Sequence, residues 1–226
     1  MSDLTRLDHP SPSIAVLTLD HHERRNALSI AMRDEISDRL DQLGTDRDVK
    51  VVVIANAGSV FCAGFDLREF ERAATDPAFA EVLWASSDRY HRAVATLPIV
   101  AIAAVGGPAI AGGFDLAVLC DLRVASTTTT FSHPEHVFGD VVYGPLHDLV
   151  GGALARDLCL TGRTLTAAEA LAAHLVSVVV DPHEVLDAAV DLAERVAVAP
   201  RDVLCRMKAK MLSRAGIVED SGALRL

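Results

Sequence analysis

Apolar residues fall along this chain in short unbroken runs, separated by stretches with helical spacing. Residues 14–19 (IAVLTL) alternate and include β-branched side chains, whereas 51–55 (VVVIA) and 98–104 (PIVAIAA) are apolar throughout. Runs of that length, bounded by Pro, Gly or Asn, predict strands covered on both faces. Residues 122–125 and 176–180 repeat the pattern nearer the C-terminus. Between the runs, 30–43 predicts a helix of about four turns with Ser29 as its N-cap. Residues 77–97 carry Phe79, Leu83, Trp84 and Val94 on one helical face, with Tyr90 and His91 at the edge of the core. A short helix is expected over 114–119. Gly162 should stop a helix running through LARDLCLTG, and Thr166 opens another with a TAAE capping box. Residues 182–198 and 200–215 are helices divided at Pro200, and the tail IVEDSGALRL reads as loose. Strands alternating with helices, followed by helices alone, predict an α/β fold with an all-helical end.

Composition narrows what such a fold could do. At 226 residues and 50% hydrophobic content the chain can bury one substantial core. A net charge of −10 argues against sequence-independent nucleic-acid binding, so any anionic ligand needs local basic residues. Cys62, Cys120, Cys159 and Cys205 are far apart and without CxxC spacing. They read as buried thiols of a reducing compartment, and no metal site is expected. The N-terminus lacks a basic start followed by an apolar run, and no segment approaches the roughly 20 apolar residues of a membrane span. A soluble cytoplasmic protein is the expectation. The GxGxxG, GxxxxGK[ST] and GxSxG patterns are absent, so the nicotinamide, P-loop and serine-hydrolase readings lack their motifs.

What chemistry there is gathers at two glycine turns. In AGSVFCAGFDLREF and in AVGGPAIAGGFDLAVL a strand runs into a glycine turn and then a helix, so the chain makes the same local structure twice. Helix starts present free backbone N–H groups, which makes Phe65 and Gly112 the candidate donors to a developing oxyanion if the turns converge. Asp115 follows in the first turn of its helix, where the dipole alone would favour an acid. Glu135, after Pro134 and between apolar flanks, is either a half-buried carboxyl able to trade protons or a surface acid. Arg24 and Arg25 form either a solvated turn or a phosphate contact.

With these residues in hand, NALS at 26–29, FCAGFDL at 61–67 and AIAGGFDLAVLCDLRVAS followed by HPE resemble the enoyl-CoA hydratase/isomerase (crotonase) superfamily over most of the chain. The resemblance implies a fold of repeated ββα units, a core domain over 1–180 and a truncated helical segment over 181–226. It implies binding of acyl-CoA thioesters, with coenzyme A as part of the substrate and no separate cofactor, and assembly as a homotrimer or a dimer of trimers. It places the enolate-stabilising donors on Phe65 and Gly112, and the acid/base pair on Asp115 and Glu135. Arg25, Ala27, Ala63, Asp66, Leu67, Arg68, Pro134 and Gly139 fall at substrate-binding positions. Asp115 stands where hydratases usually carry Glu, the stretch DVVYGPLHDL departs from the family pattern, and relatives usually continue beyond the C-terminus. A hydratase acting on trans-2-enoyl-CoA is the first reading. A Δ3-Δ2-enoyl-CoA isomerase and a non-catalytic acyl-CoA binder are the alternatives.

Overall fold

The computed structural model describes residues 4–217 and residue 224. The N-terminal part contains β1 (Thr5–Ser11), β2 (Ile14–Leu19), α1 (Ile30–Thr45), β3 (Val51–Asn56), α2 (Leu67–Ala73) and α3 (Pro77–Ala95). The middle contains β4 (Val100–Val105), β5 (Ala109–Ile110), α4 (Gly112–Leu119), β6 (Leu122–Ser126) and β7 (Thr130–Ser132). A 3₁₀ turn over Pro134–Val137 leads to α5 (Gly144–Val150), α6 (Gly152–Thr161), β8 (Leu165–Thr166), α7 (Ala167–Ala172) and β9 (Val178–Val180). Helices α8 (Val185–Ala197) and α9 (Arg201–Ala215) follow.

Six strands form one sheet in the order β1-β2-β3-β4-β6-β9, and β5, β7 and β8 form a second, small one. Only β1 pairs antiparallel in the large sheet; β2 to β9 run parallel, with Ile14 opposite Val51 and Val51 opposite Val100. The alternation of a strand sorts its side chains between two cores. Ala15, Leu17, Val52, Ile54, Ala101, Ala103 and Val105 face the larger core with α1, α3 and α4, while Ile14, Val16, Val51, Val53, Ile102, Ala104 and Val124 face Val185, Ala189 and Ala193 of α8. Both faces are therefore dry, which is why these strands lack polar alternation.

Most of the expected elements are present. Ser29 caps α1 by accepting from Met32 N–H at 3.3 Å, Thr166 and Glu169 form the capping box, and Gly162 ends α6 with φ +61. Strands β1, β5, β7 and β8 were not foreseen, because β1 is largely polar and the other three are too short for periodicity to register. One side chain expected on an apolar face is outside: Trp84 is 54% exposed and packs its ring on Phe70 at the surface, and α2 buries none of its residues, leaving Leu67 62% exposed. The tail read as loose lies mostly outside the described residues. The helical end is fastened by polar side chains: Lys208 Nζ donates to Ile99 O at 2.8 Å and to Asp121 Oδ2 at 2.7 Å, and Arg201 reaches Val49 O and Gly44 O.

Candidate active site

The two glycine turns converge. Ile110 N–H donates to Cys62 O at 3.0 Å and Phe61 N–H to Pro108 O at 3.0 Å, so the segments before the turns run side by side. Gly64 sits at φ +82, and a Cβ there would lie 2.7 Å from Ala111 Cβ and 3.1 Å from Gly112 N. A side chain at Gly113 would meet Cys62 O at 2.3 Å. Only glycine tolerates this approach. Ala111 itself is held at φ +54, a strained conformation for an L-residue that its N–H bond to Ser132 O helps to fix. Gly112 N–H opens α4 and Phe65 N–H lies just before Asp66, the N-cap of α2; neither donates to an acceptor among the described residues.

Two side chains hold the first turn in place. Asn26 is fully buried at φ +53; its Nδ2 donates to the carbonyls of Ala57, Val60 and Phe61, while its Oδ1 accepts from His21 N–H. Arg33, also fully buried, donates to Leu28 O at 2.6 Å, and its guanidinium lies 4.6 Å from the centre of the Phe65 ring. Burial pulls the Arg33 guanidinium down from its ordinary value. Neither role was read from the sequence. Arg33 left a faint trace: it shares a helical stripe with Ile36 and Leu40, where a solvated arginine would be out of place.

The carboxyls meet beside the second turn. Asp115 in α4 is 6% exposed, and Glu135 arrives from the 3₁₀ turn opened by Pro134. Between them stands His133, 1% exposed and stacked on Phe114 with ring centres 4.5 Å apart. Its Nδ1 is 3.0 Å from Glu135 Oε1 and 3.8 Å from Asp115 Oδ1. Asp115 Oδ1, Glu135 Oε2 and His133 Nε2 are buried without a hydrogen-bond partner among the described residues. Burial pushes the Asp115 carboxyl up to about 7; the charge of Glu135 adds to this, while His133 and the backbone N–H of Val142 act the other way. Burial also raises the neighbouring thiols of Cys62, to about 12, and Cys159. The three site side chains offer ligand-type atoms within 4.8 Å of one another. Of the two imidazole nitrogens, Nδ1 faces Glu135 Oε1 and Nε2 has no partner among the described residues.

The other residues singled out fall around these turns. Ala63 N–H donates to Arg25 O and Leu28 N–H to Gly64 O, which lays Arg25, Ala27 and Leu28 along the first turn. Asp66 caps α2 through Arg68 N–H, and exposed Leu67 follows it. Gly139 N–H closes the 3₁₀ turn onto Glu135 O at 2.9 Å. A groove of about 440 Å³ is lined by His21, Arg24, Ser29, Asp66, Arg68, Glu69, Arg72 and Phe79. Arg25 is exposed outside it, so the basic lining comes from Arg24, Arg68 and Arg72. The altered DVVYGPLHDL stretch supplies buried Val142 and Leu146, which close the core next to Asp115.

Comparison with known proteins follows the same lines. The enoyl-CoA hydratase/isomerase family matches residues 10–220. A probable enoyl-CoA hydratase of Rhizobium meliloti (strain 1021) is 37% identical over 203 residues, 87% of this chain and 77% of that protein. The crystal structure of an enoyl-CoA hydratase from Mycobacterium smegmatis superposes with a TM-score of 0.85 at 29% identity, covering 98% of this chain and 87% of the other. A monofunctional enoyl-CoA isomerase from M. smegmatis gives 0.81 at 27% identity, covering 98% of each. The fold is thus crotonase-like, and the chain belongs to the enoyl-CoA hydratase/isomerase family.

Proposed function

We propose that the protein is a lyase that hydrates trans-2-enoyl-CoA thioesters to 3-hydroxyacyl-CoA. One observation carries the reading: a buried and a half-buried carboxyl, each with a buried oxygen that has no partner among the described residues, lie in one site next to two glycine turns whose Phe65 and Gly112 N–H groups are unused there. In this reading the thioester carbonyl accepts from Phe65 N–H and Gly112 N–H, which form an oxyanion hole for the enolate that develops when water attacks C3. Glu135 takes a proton from the water and returns one to C2, while Asp115 holds the water in place. The elements of water add across the double bond and both carboxyls end as they began.

The nucleotide end of coenzyme A would lie in the groove with Arg24, Arg68 and Arg72, local positive charge on an acidic chain. Ala27, Ala63, Asp66 and Leu67 would line the path from that groove to the hole, and Pro134 and Gly139 would shape the acyl side. Coenzyme A is part of the substrate, and the chemistry needs no separate cofactor. We place the protein in the cytoplasm as a homotrimer or dimer of trimers; no helix among the described residues is long and apolar enough to cross a membrane.

Double-bond isomerisation is the second reading, favoured by the shorter reach of Asp115 and by the likeness to the M. smegmatis isomerase. It needs one carboxylate to move a proton between C2 and C4. Incubating crotonyl-CoA and longer enoyl-CoAs with wild type, Asp115→Asn and Glu135→Gln separates the readings. Hydration that falls by about 10²- to 10⁴-fold in both variants supports the hydratase. A shifted double bond that needs only Glu135 supports the isomerase, and tight binding without any product makes the protein a binder.

A further inference from the structure

His133 has no part in the two-carboxyl chemistry as stated, yet its Nδ1 lies 3.0 Å from one carboxyl and 3.8 Å from the other. Its ring is fixed by the stack on Phe114 and by its place in the chain, where its carbonyl accepts from His136 Nδ1 at 2.9 Å. Nε2 is buried with no acceptor in reach, so a doubly protonated ring would leave an N–H unsatisfied. The neutral ring with its proton on Nδ1 leaves no donor unpaired, and that single N–H lies at hydrogen-bonding distance from only one carboxyl: 3.0 Å from Glu135 against 3.8 Å from Asp115.

We propose that His133 is a positioning residue that places the single negative charge of the carboxyl pair on Glu135, leaving Asp115 as the neutral acid. The inference rests on the reading of this pair as the acid/base machinery. Two adjacent carboxyls, one buried and one half-buried, do not both ionise readily, so something must choose between them. The other titratable side chains of the described residues whose charge registers at the pair are neutral. Cys62 approaches from the loop after β3, Tyr90 from α3 and Cys159 from α6, and burial holds all three protonated. The backbone N–H of Val142 favours the charged form of Asp115, but burial outweighs it there. Charge on Glu135 also leaves Oε2, its unpartnered oxygen, as a base at the start of the reaction, while the neutral Asp115 avoids repelling it. An apolar residue at 133 would leave that choice to burial alone.

Carboxyl ¹³C NMR of the wild type, His133→Asn and His133→Leu tests this, with the two resonances assigned from Asp115→Asn and Glu135→Gln. Asn can offer an N–H where Nδ1 stands; Leu cannot. Glu135 should titrate alike in wild type and His133→Asn and about one pH unit or more higher in His133→Leu, and the acid limb of the pH–kcat profile should move with it. A merely structural role would lower kcat at every pH and leave the limb in place. In the wild type alone, ¹⁵N shifts should report a neutral ring protonated at Nδ1, a readout that survives even if a variant fails to fold. A proton on Nε2, or one Glu135 titration common to all three folded proteins, overturns the inference while leaving hydration untouched. A titration difference in a protein that turns over no enoyl-CoA supports the charge placement and removes the functional reading instead.

Discussion

Asp115 carries its proton at a cost that depends on pH. Its folded value, pushed up to about 7 by burial, lies above the ordinary carboxyl value of 3.8, so the folded protein binds more protons than the unfolded chain between those limits. Stability contributed by this residue is therefore full below the unfolded value and falls as pH rises towards 7, by up to about 4 kcal/mol. Asp115→Asn cannot ionise. Urea denaturation of both proteins should show the variant gaining stability relative to wild type from pH 4 to pH 8; a constant difference would mean that Asp115 ionises as easily inside as out. The identity of Asp115 and Glu135 as a pair was legible from their motifs. Their partner His133 was not, because nothing in the letters HPE says that the imidazole turns inward.

At the scale of elements, the site depends on two strand–turn–helix units touching, and Gly64 is where they touch. The repetition of this local structure was legible; its convergence was not, since contact between residues 64 and 112 is a tertiary fact. Asn26, which helps lock the first turn, looks in sequence like an ordinary polar loop residue, and Arg33 betrays itself only by sharing a helical stripe with Ile36 and Leu40. Gly64→Ala should cost about 1–3 kcal/mol, for the φ of +82 and the 2.7 Å approach to Ala111. If the turns act together, its activity per folded molecule should also drop, on the order of 10²-fold for a displacement of about 1 Å. Denaturation and kinetics on the same preparation check this. Lost stability with full activity would separate the turns from the chemistry. The short strands β5, β7 and β8 escaped notice because pairing, not periodicity, creates them.

For the whole molecule, the doubly covered strands were readable from their apolar runs, while the docking of the helical end was not: Lys208 reads as a solvated lysine and is in fact 3% exposed against Asp121. Charge distribution was half legible. Arg24 and Arg68 line the groove, whereas Arg25, where the chain turns at positive φ, is exposed outside it. Arg24→Ala with Arg68→Ala should therefore weaken coenzyme A binding several-fold in calorimetry, the more so at low salt, whereas Arg25→Ala should not. Equal affinity in the double variant would move the nucleotide elsewhere. Val137, Phe138 and Val198 are each more than 70% exposed, apolar surface of the sort that subunit contacts cover. Light scattering should return the mass of a trimer or twice that, and a monomer at micromolar concentration would remove the assembly from the account.

The central claim is that this site adds water to an enoyl thioester through Asp115 and Glu135, and its most direct measurement is turnover of crotonyl-CoA in ¹⁸O-labelled water followed by mass spectrometry. The account predicts a product heavier by one labelled water, with the label on C3 and formation suppressed in both Asp115→Asn and Glu135→Gln. A product of unchanged mass with its double bond moved, or hydration that survives in Glu135→Gln, would contradict it.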